Sequence, residues 1–266
     1  MAKINVTKSG EIPQPIVDEV LGVISDCYQV IGEPMSDSID LYVIEKSVKG
    51  TFFVTHDALQ ERPTITVYVD RFLEVPRLIG LAGIRRQAAH SVLHGSIEYY
   101  LVEFPEDLMR VMRQYGLPPD CASGFLYTTA MAVKEYEVTR LLYGKNYVED
   151  QVAHAKYMLL PDAEEVLAWN IASRDKLEKI FHLTAVIRDI SCAVPFTQDE
   201  QIGEEIKNYI GKKLDHITPD YQSKLQRIIY EGFPSLGTNT FENIDSITKL
   251  VVEEIIDYEL KERNVG

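Results

Sequence analysis

A chain of 266 residues with 45% hydrophobic content can bury a sizeable core, and its length allows one large domain or two unequal ones. Asp and Glu outnumber Lys and Arg by 41 to 27, a net charge of -14, so the summed field repels phosphate backbones and anionic lipid and argues against nucleic acid or membrane as a partner. Three cysteines, Cys27, Cys121 and Cys192, are odd in number, far apart and without a C-x-x-C pair; they are expected to be free thiols and not a disulfide framework or a thiolate zinc site. Charges interrupt every apolar stretch before it could span a bilayer, and the start, Met-Ala-Lys-Ile-Asn-Val-Thr, lacks the cationic-then-apolar pattern of a signal peptide, so a cytoplasmic location is expected.

In chain order, Pro13 and Pro15 precede the periodic apolar run Ile16, Val17, Val20, Leu21, Ile24 and Tyr28, and Gly32-Glu33-Pro34 ends it: an amphipathic helix. Three short segments rich in β-branched and aromatic residues follow, Ile39 to Ile44, Thr51 to Thr55 and Thr64 to Val69, and the simplest arrangement is a small, largely antiparallel meander. The last of them, if it lies at an edge, could take up an extended peptide by strand addition. Pro76 then opens a helix expected to run to about Tyr100, with an apolar stripe of Ala82, Ala89, Leu93 and Ile97 and a charged patch at Arg85 and Arg86. After Gly116-Leu117-Pro118-Pro119-Asp120 a second helix runs from about Ala122 to Tyr143. Beyond Asp162 only helical patterning appears, at about 162–190, 200–214, 219–231 and 243–262. The fold class is therefore α+β: a small sheet packed on a long helix over 1–161, and an all-helical region over 162–266.

His90-Ser91-Val92-Leu93-His94 sets two imidazoles four apart on that long helix, the spacing by which one helix face offers two nitrogens to one metal ion. Downstream, Glu135-Tyr136-Glu137-Val138-Thr139 offers carboxylates from a second helix, and two histidines with a glutamate are a known zinc set with the fourth position open to water. The expected ligands are His90, His94 and Glu135, with Glu137 the alternative third. His154 is a weaker candidate, and His56, His182 and His216 show no partner pattern.

With these residues the chain resembles the gluzincin-type zinc peptidases, in particular the ImmA/IrrE-like metallopeptidase fold, over roughly 14–161. In that group a helix and a small sheet precede an H-E-x-x-H helix, and a second helix carries the third ligand in a pattern close to E-x-x-A-N-x-F-A, followed by L-L-M-P. Glu135-Tyr-Glu-Val138-Thr139-Arg-Leu141-Leu142 can be laid on the first pattern and Met158-Leu159-Leu160-Pro161 on the second. The chain departs from the family at Ser91, which stands where the general-base glutamate belongs, at Val138-Thr139, and in the segment Tyr143 to Tyr157 that separates pieces nearly adjacent in the family.

The resemblance implies a zincin-like domain and a zinc-dependent, peptidase-related hydrolase. A serine hydroxyl cannot take a proton from metal-bound water near neutral pH, so proteolysis is expected to be weak or absent unless Glu98 or Glu137 supplies the base. By the same logic Ser91→Glu should restore hydrolysis. The alternative is an inactive relative that keeps the fold as a scaffold for a peptide or protein partner, and a metal-free helical protein is the third reading.

Overall fold

The computed structural model describes residues 2–59, 62–160 and 162–261. In chain order the elements are β1 (Lys3–Ser9), α1 (Gln14–Ile31), β2 (Ser38–Ile44), β3 (Val54–Asp57), β4 (Thr64–Tyr68), α2 (Val69–Glu74), α3 (Arg77–Leu93), a 3-10 turn at Ile97–Tyr100, α4 (Glu106–Tyr115), α5 (Pro119–Gly144), α6 (Glu149–Met158), α7 (Ala163–Ala172), α8 (Lys176–Ser191), α9 (Gly203–Leu214), α10 (Pro219–Arg227), α11 (Thr240–Val251) and α12 (Asp257–Lys261). The class is α+β, as the patterning indicates. The chain forms two compact units of interleaved segments: Met1–Leu101 with Val138–Tyr157, and Val102–Glu137 with Met158–Gly266. In place of the single division expected at 161 the chain crosses between units three times, after Leu101, inside α5 after Glu137, and after Tyr157; Pro161 itself lies outside the described residues.

The first unit contains the sheet, in the order β1-β2-β4-β3. It is mixed, which corrects the expected antiparallel meander: β1 and β4 run parallel to β2, and only β3 is antiparallel, to β4. Two physical causes account for the difference. The polar segment Lys3–Ser9 is a strand with little burial, and α1 carries the chain back so that β2 lies parallel beside it. Strands β2 and β4 have the strict alternation, burying Ile39, Leu41, Val43, Ile65 and Val67, so they take the centre and leave the polar β1 and the short β3 as edges. Residues 64–68 are consequently an interior strand and offer no edge to a peptide.

Helix α1 buries Val17, Val20, Ile24, Cys27, Tyr28 and Ile31 in a core shared with the inner face of the sheet, and ends at Gly32 with φ +108. Helix α3 packs against α1 and against β3 and β4. It is buried on almost every side, including Arg86, so the stripe and charged patch expected for it do not exist as such. The Arg86 guanidinium donates to Thr139 Oγ1 (2.7 Å) and Gln151 Oε1 (3.1 Å), while Arg85 pairs with Asp150 at 2.6 Å. Close packing of α3 depends on two glycines: a Cβ at Gly80 would lie 2.8 Å from the Phe72 ring, and one at Gly83 2.4 Å from the Phe53 ring.

The second unit is helical throughout its described residues. The expected helix over 162–190 is broken at Ser173-Arg174, where Asp175 caps α8 by accepting from the Leu177 and Glu178 amides. A π turn follows α10 at Ile228–Gly232, and another follows α11 at Val252–Ile256.

Candidate metal site

The sequence builds the histidine pair by ending α3 between its members. His90 is in the last turn, whereas His94 is the C-terminal cap with non-helical φ -135 and ψ 27. Gly95 makes the exit possible, because a Cβ there would lie 2.2 Å from the Ser91 carbonyl oxygen. The helix therefore stops well short of Tyr100, and Glu98 lies beyond its end. It sits exposed on the separate 3-10 turn and accepts a hydrogen bond from Ser96.

Both rings of the pair are buried, at 3% and 0% exposure, and their Nδ1 atoms are 3.2 Å apart. As a hydrogen bond this requires one ring to donate Nδ1–H and the other to present its lone pair. The same separation is the chord between two metal–nitrogen bonds of about 2.05 Å meeting at about 103°, close to tetrahedral. Two such nitrogens make half of a tetrahedral donor set.

Sequence reasoning missed a third histidine. His56 on β3 is opposite Ile65 in the ladder, and residues directly opposite share a face, so His56 points to the helix-covered side. Its ring stacks on that of His90 (centroids 5.7 Å, planes 17° apart), and its Nδ1 is 2.8 Å from the Tyr100 hydroxyl. Tyr99 meets His94 edge-on at 5.4 Å. The only local signal was parity: His56 is two residues from buried Val54 and therefore in phase with it.

Ser91 is not turned toward the pair's nitrogens. It has no exposed surface, its hydroxyl donates to the Ala88 carbonyl at 2.6 Å, and the Tyr28 hydroxyl of α1 donates to it at 2.7 Å. Burial raises the Tyr28 phenol above its ordinary pKa, so it stays a donor near neutral pH. The position that matches the family's general base is here a contact between α1 and α3.

Glu135 and Glu137 belong to the part of α5 in the second unit. Glu137 is 5% exposed, and its two oxygens accept from Thr240 Oγ1 (2.8 Å) and Asn243 Nδ2 (2.5 Å), the first turn of α11. Glu135 is half-buried, and its charge acts on Lys134 and on Arg188 of α8. His154 is buried on α6 in the first unit, edge-on to Phe52 at 6.3 Å. All three cysteines are free thiols, with Cys27 pushed up to about 12 by burial. Among the described residues no set of three or more His, Cys, Asp and Glu side chains stands arranged to hold a metal ion. No family model, no curated protein and no solved structure matches this chain.

Proposed function

We propose that the chain is a zinc-binding protein of metallopeptidase-like build in its first unit, holding the ion through His90 and His94 and serving as a binding scaffold without efficient proteolysis. The observation that carries this reading is the buried Nδ1 pair 3.2 Å apart. An ion drawing on both lone pairs would shift the shared proton to an Nε2 atom and leave both rings neutral, the form that binds metal. Glu135, the third ligand that the resemblance assigns, lies in the second unit, and the proposal rests on the histidine pair alone.

Zinc would supply Lewis acidity and a water of lowered pKa, but hydrolysis also needs a group to move that proton. The side chains expected to do so have other engagements. The Ser91 hydroxyl joins α1 to α3, both oxygens of Glu137 anchor α11, and Glu98 is exposed on its own turn beside Ser96. These placements favour the scaffold over the hydrolase.

The test is elemental analysis of protein never exposed to a nickel column, followed by calorimetric titration with zinc chloride. Stoichiometric binding by wild type, lost in His90→Ala and in His94→Ala, supports the assignment, and unstructured peptides should show little zinc-dependent turnover. Undiminished binding by His94→Ala would remove the pair from the site, and efficient zinc-dependent cleavage by wild type would restore the hydrolase.

A further inference from the structure

A second histidine pair lies in the second unit. His182 is on α8 and His216 in the turn after α9, with rings perpendicular and centroids 5.8 Å apart. The Nε2 atoms of both are buried without a hydrogen-bond partner. The remaining nitrogen of His216 donates to the Lys213 carbonyl, so its Nε2 carries a bare lone pair. His182 packs against Trp169 of α7 at 5.4 Å, and Trp169 is 5% exposed.

A proton added to His182 or His216 would find the carboxylates that favour it, Asp189 and Glu165 respectively, already engaged by cations, and burial outweighs their pull. Lys213, itself buried, holds Glu165 of α7 at 2.7 Å and lies 3.9 Å from Asp189, which Arg188 also binds at 2.8 Å. The Lys213 ammonium opposes a charge on either ring. Asp215, beside His216, is exposed and is the smallest of the influences on it. The other elements against α8 bring Glu259, held by Lys179, Glu254, held by Arg227 and Lys224, and Glu231, 3.6 Å from Arg227.

Helix α7 has little buried surface to hold it. Within it only Trp169 and Ala172 are buried, and Val166, Leu167 and Ile171 face solvent. It packs along α8, and its side chains are held by the Trp169 packing and the Glu165–Lys213 ion pair. An element with so few buried apolar contacts opens at low cost.

We propose that His182 and His216 form an acid-operated latch: neutral, they keep α7 seated on α8 through Trp169, and protonated, they release it. Burial pushes His182 down to about 4 and His216 below its ordinary 6.5. The closed form therefore binds fewer protons than the open form between those values, so closure is complete above pH 6.5 and weakens as pH falls toward about 4. The released population should rise by up to about tenfold per pH unit per histidine in that window.

Trp169 is the chain's single tryptophan, so intrinsic fluorescence of the full-length protein reports on the latch. Acidification from pH 7.5 to 4.5 should shift its emission to the red while far-UV circular dichroism keeps most of its helical signal. In the His182→Phe/His216→Phe double variant the shift should vanish. Should that variant fail to fold, hydrogen exchange on wild type decides. After correction for intrinsic rates, amides of 163–172 should lose protection at pH 5 before those of α9 and α11. Quenching without a red shift, an unaltered transition in the double variant, or protection of α7 that persists at pH 5 would overturn the latch.

Discussion

Ser91→Glu separates the two views of the histidine helix. If Ser91 stood in an open cleft, a carboxylate there would be tolerated and could restore hydrolysis. The structure instead gives Ser91 no exposed surface and holds its hydroxyl 2.6 Å from the Ala88 carbonyl and 2.7 Å from the Tyr28 hydroxyl. Forcing a longer side chain into that contact costs about 1–3 kcal/mol in overpacking. A carboxyl with an ordinary value near 4.3 that must stay protonated inside the contact adds about 4 kcal/mol at pH 7, at roughly 1.4 kcal/mol per pH unit. The total, about 5–7 kcal/mol, is a large fraction of the stability of a small domain. Ser91→Ala is the control and should cost about 1–3 kcal/mol, because it leaves the Tyr28 hydroxyl without its acceptor. The introduced carboxyl has a raised folded pKa, so its penalty is smallest below about 4.3 and grows as pH rises. Hydrogen exchange at the amides of 77–93 measures the opening free energy of this unit directly. Loss of under about 1 kcal/mol at pH 7, or new zinc-dependent peptide hydrolysis by a folded Ser91→Glu protein, would refute the burial argument.

Further substitutions test the frame around the site. Gly83→Ala, which in an exposed helix would stabilise by about 1 kcal/mol, should instead destabilise by about 1–3 kcal/mol, because its Cβ would lie 2.4 Å from the Phe53 ring; a higher melting temperature would contradict this. Glu137→Ala, which leaves Thr240 and Asn243 without their acceptor, should cost about 2–4 kcal/mol and show as lost exchange protection in α11; unchanged protection would mean that the carboxylate does not anchor it. Lys134 is buried and desolvation pushes it down to about 8, so a lysine that ordinarily titrates at 10.5 is disfavoured in the folded state below that range. The stability difference between wild type and Lys134→Met should therefore move in favour of wild type as pH rises from about 8 to 10.5, and urea midpoints across that range that keep a constant difference would refute it.

Local periodicity determined much of this protein. The spacing of Val17, Val20, Ile24 and Tyr28 and the stop at Gly32 specify α1, and the absence of strand patterning after 162 specifies the helical character of the later chain, because a helix records its buried face within its own few turns. The four-residue spacing likewise brought His90 and His94 into contact although the helix ends between them. Partners distant in sequence were decided only by tertiary structure. The crossover through α1 made the sheet mixed, and the pairing of β3 with β4 set His56 against His90. Ser91 stands between the two histidines in sequence, but Tyr28 came to it from 63 residues away, and Thr240 and Asn243 came to Glu137 from more than 100. Each of these contacts follows from which surfaces could be buried together, a property of the assembled fold that no single window of the sequence contains.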